Sequence, residues 1–204
     1  MNSIECECQK DSFTISIIDN ELHFNGSINL QSMSSLTKEL LNMQKTVLTS
    51  CKTTKRKFAD IYNESISIEI KPQDIKLFIT SYGGSVHQVF GAIDTIKSMK
   101  VPVHTICKGI VASAGTLLSI NGAKRFITPN TYMLIHELRS GSWGKYQKLK
   151  DNFENCTSLM EHIKKLYIEK TKLTKDDLDN CLHKDMMWNA SVCIEKGLVD
   201  EIYK

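Results

Sequence analysis

Gly109-Ile110-Val111-Ala112-Ser113-Ala114-Gly115 sets one serine in a run of small residues inside an otherwise apolar segment. Small neighbours let a backbone approach Ser113 closely, as attack on a peptide bond would require. Upstream, Tyr82-Gly83-Gly84-Ser85 forms a glycine turn between an apolar strand, Lys76 to Thr80, and a helical stripe of Val86, Val89, Phe90, Ile93 and Ile96. Downstream, the strand Tyr132 to Ile135 ends in His136. Val103 to Cys107 and Arg125 to Thr128 read as further strands, and Ser113 to Asn121 as a helix beginning at the serine. Strands alternating with helices predict an α/β fold with a mainly parallel sheet and crossover helices.

The flanks extend this pattern. Phe13 to Phe24 reads as two strands around Asp19-Asn20-Glu21. Met33, Leu36, Leu40, Met43 and Val47 recur at helical steps of three and four. Residues 45–71 read as an insertion: a polar, basic stretch over 50–64, then Ile66, Ile68 and Ile70 alternating as a short strand. Tyr146 to Lys170 predicts a long charged helix, better suited to a projecting arm than to a core. Thr174 to Asp177 predicts a capping box, Asn189 an N-cap, Gly197 a helix stop, and Leu198 to Tyr203 a closing strand.

Composition is that of one ordinary globular domain: 204 residues, 41% hydrophobic and 24% charged. A net charge of +3 gives no reason to expect a nucleic-acid partner, and the basic patch Lys52, Lys55, Arg56 and Lys57 reads as a solvated face. No apolar run reaches the roughly 18 residues of a membrane span. The first residues, Met1 to Cys6, lack the basic and apolar regions of a secretory signal. Seven irregularly spaced cysteines suggest free thiols in a reducing compartment, and Cys6 and Cys8 have no second pair to complete a zinc site. Neither a metal nor a cofactor is expected.

A serine nucleophile needs a base, a carboxylate to orient that base, and N–H donors aimed at the oxyanion. Ser113, His136 and the later Asp185 supply the first three; Gly83-Gly84 and the amide of Ala114 supply candidate donors. Taken singly, Gly83-Gly84 is a turn, Ser113 a helix N-cap and His136 a core histidine. Their joint order carries the reading. Serine-first, histidine-second order with Val111 before the nucleophile excludes the α/β-hydrolase pattern, and chymotrypsin-like and subtilisin-like orders place serine last. Cys107, on the strand leading to Gly109, is a weaker alternative nucleophile.

The segments Leu77 to Val86, Thr105 to Gly115, Met133 to His136, Lys184 to Ala190 and Glu195 to Asp200 together resemble the proteolytic subunits of the Clp protease. The resemblance covers residues 72–204 well. It implies a ClpP/crotonase-like fold with a projecting handle over 146–182. It also implies that Ser113 is nucleophile, His136 base and Asp185 its orienter, with the Gly84 and Ala114 amides as oxyanion hole. Gly83, Ser140, Gly141 and Ser142 would bind substrate, the stretch to Lys145 being an edge to which an extended peptide adds. Two stacked heptameric rings, an AAA+ Clp unfoldase and unfolded polypeptide substrates are the implied assembly and partners. The expected location is the cytoplasm, with plastid stroma or a virus-infected host cytoplasm as alternatives.

The chain departs from the family's pattern in places. Tyr82 replaces the proline of Ser-Pro-Gly-Gly, and Glu137, Leu138 and Ser140 alter the stretch after the histidine. The region between Gly26 and Gly84 is about twenty residues longer than the resemblance implies. Other readings are a non-catalytic ring subunit that mixes with an active relative, and a crotonase-like acyl-CoA enzyme, which would not need all three triad residues. A Ser–Lys signal-peptide peptidase would need a membrane segment.

Overall fold

The computed structural model describes residues 12–62 and 71–204. Strands β1 (Phe13–Ile18) and β2 (Glu21–Gly26) form the predicted hairpin around Asp19, whose φ is 53°. Helix α1 (Leu30–Tyr62) follows, with Asn29 Oδ1 accepting from the Ser32 N–H and Ser32 Oγ accepting from the Asn29 N–H. Its predicted stripe of Met33, Leu36, Leu40 and Met43 is buried. Each such side chain contributes about 1.5–3 kcal/mol.

The first part of the expected insertion over 45–71 is helical. From Lys45 to Tyr62 the chain continues α1 without a break. No Gly or Pro lies between Ser27 and Lys71, so nothing in the sequence stops the helix at Lys45. The strand expected over Ile66, Ile68 and Ile70, and the pair Cys6 and Cys8, lie outside the described residues.

The body is built from β3 (Ile75–Ser81), α2 (Val86–Ser98), β4 (Val103–Ala112), α3 (Ala114–Ser119), β5 (Arg125–Ile127) and β6 (Tyr132–Leu134). The handle helix α4 (Tyr146–Lys170) has the predicted bounds. Next come α5 (Lys175–Cys181), β7 (Met187–Asn189), α6 (Ala190–Glu195) and β8 (Glu201–Ile202). The capping box of α5 is complete, with Thr174 Oγ1 accepting from the Asp177 N–H and the Asp177 carboxylate accepting from the Thr174 N–H. Asn189 caps α6 through the Val192 N–H, as expected. The closing strand is shorter than predicted, because Asp200 turns back onto Arg125 before β8 begins.

One mostly parallel sheet runs in the order β1-β2-β3-β4-β5-β8, with antiparallel pairing only at β1–β2 and β6–β7. Strand β4 is longer than the predicted Val103–Cys107 and divides its outer edge. Thr105 to Cys107 pair with β5, and Ile110 to Ala112 pair with β6. The break falls at Gly109, whose φ of 70° suits glycine and whose N–H donates to Thr131 Oγ1. That division turns β6 and β7 away from the main sheet and creates the shelf on which the site is built. On one sheet face, Leu22, Leu77, Ile79, Cys107 and Val111 pack into the core; on the other, His23 stacks on Phe78, and Tyr203 lies edge-on to Phe78 and Phe126.

Among the described residues no helix is long and apolar enough to cross a membrane.

Candidate active site

Three strand ends converge. Parallel pairing sets Ala112 beside Leu134, so the residues that follow, Ser113 and Ile135-His136, leave the sheet on the same side. Antiparallel pairing sets Leu134 opposite Met187. The ladder stops there, and the segment carrying Asp185 leads into β7 two residues before it. Beyond it the Glu137 N–H donates to Leu182 O.

Ser113 occupies the turn between β4 and α3, with φ 55° and ψ −127°, and the helix begins at Ala114, one residue later than predicted. Such a conformation in a residue with a side chain costs about 1–3 kcal/mol. Three hydrogen bonds hold it. The Ser113 N–H donates to Leu134 O at 2.9 Å, and Ser113 O accepts from the Thr116 N–H at 3.0 Å and from Thr116 Oγ1 at 2.6 Å. Thr116 Oγ1 in turn lies 2.6 Å from the buried Tyr167 hydroxyl. Since the single Thr116 proton is used on Ser113, Tyr167 is the donor. Burial pushes the Tyr167 hydroxyl well above its usual range, despite the bond to Thr116, so the phenol keeps its proton.

The glycine loop is clamped from two sides. Gly83 has φ 97°, and a Cβ there would stand 2.6 Å from Ser113 Cβ and 2.8 Å from Ala112 O. Gly84 has φ 144°, and a Cβ there would stand 2.2 Å from Ile28 O. Ile28 fixes the loop by donating its N–H to Gly83 O and accepting from the Ser85 N–H, each at 2.8 Å. Tyr82, in place of the family's proline, is exposed and leaves these contacts intact. Among the described residues the N–H groups of Gly84 and Ala114 make no hydrogen bond, so both remain available to a ligand.

Ser113, His136, Gly84 and Ala114 line one cavity of about 230 Å³, floored by Val86, Leu117 and Ile163. Its rim adjoins a larger cleft of about 740 Å³ under α4, with Arg139 and Leu138 on the shared wall. Ser140 lines that cleft. Gly141 and Ser142 are exposed and line neither cavity. The segment Ser140 to Lys145 forms no strand among the described residues.

Asp185 is turned to another partner: its carboxylate accepts from Arg139 Nη2 at 2.8 Å, while His136 Nδ1 is buried with no hydrogen-bond partner. Ser113 and His136 share the cavity, Asp185 does not line it, and the expected three-residue relay is unconnected. Sequence reasoning does not single out Arg139; its partner lies 46 residues away, and only the fold brings them together.

Cys107 is excluded as a nucleophile. It is fully buried, which pushes its thiol up to about 12, and it lines neither cavity. No group of three His, Cys, Asp or Glu side chains among the described residues could hold a metal ion.

Ser113, on a strained strand-to-helix turn, thus shares one cavity with a histidine and the Gly84 and Ala114 backbone. A family model of Clp proteases matches residues 28–204. The chain belongs to the Clp protease family, and its fold is ClpP-like.

Proposed function

We propose that this chain is a serine endopeptidase of unfolded polypeptides, with Ser113 as nucleophile, His136 as general base and Asp185 as the orienter of His136. The observation that supports the reading is the shared cavity of Ser113, His136, Gly84 and Ala114, next to which β7, two residues after Asp185, pairs with β6. Ser113 Oγ attacks the scissile carbonyl carbon while His136 takes its proton. The carbonyl oxygen becomes an oxyanion held by the two N–H groups. Collapse breaks the C–N bond, His136 returns the proton to the leaving amine, and an acyl-enzyme remains. Water, deprotonated by His136, releases the carboxylate product and restores Ser113.

The family's assembly extends the proposal. Two stacked heptameric rings would enclose the sites, an AAA+ Clp unfoldase would deliver the substrate, and α4 would join the rings. Exposed Tyr146 and Phe153 on α4, and Trp143 before it, support the last point, since large apolar side chains left in solvent mark contact surfaces. The stretch Lys45 to Tyr62, beyond the family's usual length, is the candidate modifier of partner docking. A second reading, a latent ring subunit, has one observation in its favour: Asp185 is committed to Arg139.

The test is cleavage of a denatured, fluorescently labelled polypeptide by the assembled protein. Wild type releases fragments and Ser113→Ala releases none. Equal fragment release by both would remove Ser113 from the reaction.

A further inference from the structure

We propose that Arg139 is a specificity residue with two alternative partners: Asp185 in the resting chain, and a carboxylate on the bound peptide in the productive one. The inference rests on the peptidase reading of Ser113, His136 and Asp185, and adds to it the class of substrate the site prefers.

Position is the first argument. Arg139 stands on the wall shared by the nucleophile cavity and the larger cleft, so a peptide crossing from one to the other passes its guanidinium. The second is charge. The larger cleft presents His87, Asn152, Asn155, Ser158 and His162, with no Asp or Glu in its lining, and Arg139 is its only permanently charged group. Such a surface offers donors to an anion, with Asp185 on Arg139 and Glu137 in the adjoining cavity as the competing carboxylates, so an acidic side chain or a terminal carboxylate fits it best.

The third argument is the weakness of the present pairing. The Arg139 and Asp185 side chains are 72% and 61% exposed, and one Nη2–H donates to one carboxylate oxygen. Exposed pairs of this kind shift an equilibrium by no more than about fivefold. A peptide carboxylate able to take two guanidinium N–H groups side by side displaces Asp185. Asp185, on the segment that leads into the strand paired with β6, is then free to turn to His136 Nδ1, which has no partner. Substrate recognition and completion of the relay become one event.

The test uses peptide pairs identical except for Glu or Gln at one position, with that position walked along the peptide. Binding to the assembled Ser113→Ala protein is followed by fluorescence anisotropy, alone and with Arg139→Gln or Arg139→Lys added. The expected result is one position where Glu binds at least about fivefold tighter than Gln, a preference lost with Arg139→Gln and partly kept with Arg139→Lys. No Glu preference at any position, or one that survives Arg139→Gln, overturns the proposal. With Ser113 restored, Arg139→Gln raises kcat on the Gln peptide by about two- to fivefold, because Asp185 is released, and raises KM for the Glu peptide. An unchanged or lower kcat on the Gln peptide overturns the exchange with Asp185. A Glu preference in binding, in a protein that cleaves neither peptide, upholds recognition by Arg139 and sinks the peptidase reading instead.

Discussion

Gly83 and Ser113 occupy adjoining space so tightly that a single added carbon cannot fit: a Cβ on Gly83 would lie 2.6 Å from Ser113 Cβ. A Cβ is fixed by its own backbone, and Ala112 O at 2.8 Å adds a backbone contact, so neither side can yield by rotating a side chain. Gly83→Ala therefore displaces the nucleophile turn, and the strain at φ 97° adds to the clash. Activity falls by at least about a hundredfold, as expected for a displacement on the order of 1 Å at the reacting centre. Peptide hydrolysis by a variant shown by circular dichroism to be folded checks this.

Under the proposed mechanism Asp185 orients His136. Asp185→Asn leaves the fold intact, since the side chain is exposed, and lowers kcat by about three to four orders of magnitude. Loss of similar size from Ser113→Ala and His136→Ala, with no further loss on combining them, would show that the three act as a unit.

The path from Tyr167 through Thr116 to the Ser113 carbonyl couples a handle residue to the nucleophile turn. Tyr167→Phe removes one donor and leaves Thr116 still bonded to Ser113, costing about 1 kcal/mol. Thr116→Val strands a buried phenol and leaves the Ser113 carbonyl only the residue-116 N–H, costing about 1–3 kcal/mol. Thermal melts should fall by about 2–4 °C per kcal/mol, with kcat/KM reduced further in Thr116→Val than in Tyr167→Phe.

The C-terminal segment is fastened by a charge. Burial raises the Asp200 carboxyl, but hydrogen bonds and charge from Arg125 outweigh this and hold it below the usual carboxylate range. A depressed folded pKa gives stability that is present above the unfolded value and lost as pH falls through the folded one. The gap in melting temperature between wild type and Asp200→Asn is therefore widest near neutral pH and closes below about pH 4. A gap that widens with acid would contradict the assignment.

Phe153 is 73% exposed on α4 and Trp143 is 91% exposed just before it. With α4 as the ring-to-ring contact, Phe153→Glu buries a charge without a partner at that contact. Sedimentation analysis should then show single rings where wild type gives stacked pairs.

Much of the fold is legible because the core imposes period. The stripe of α1 up to Met43, the apolar strand β3 and the bounds of α4 all follow from spacing or from caps. The second half of α1 is not legible that way. With apolar spacing ending at Val47, its only signal is the absence of Gly and Pro, which a period search passes over. The length of β4 is hidden because Gly109 looks like a strand end, whereas here it bends a strand that changes partners. The site residues are legible as a set, since motif order and small neighbours survive in one dimension. The pairing of Arg139 with Asp185 is not, because a long-range ion pair leaves no local pattern.

The central claim is an activated Ser113. Treatment of the assembled protein with a fluorophosphonate, followed by intact mass, reads it directly: Ser113 Oγ displaces fluoride and gains the phosphoryl group. The account predicts one adduct on every wild-type chain and none on Ser113→Ala. An unmodified wild-type chain in a correctly assembled ring, or an adduct that persists in Ser113→Ala, would contradict it.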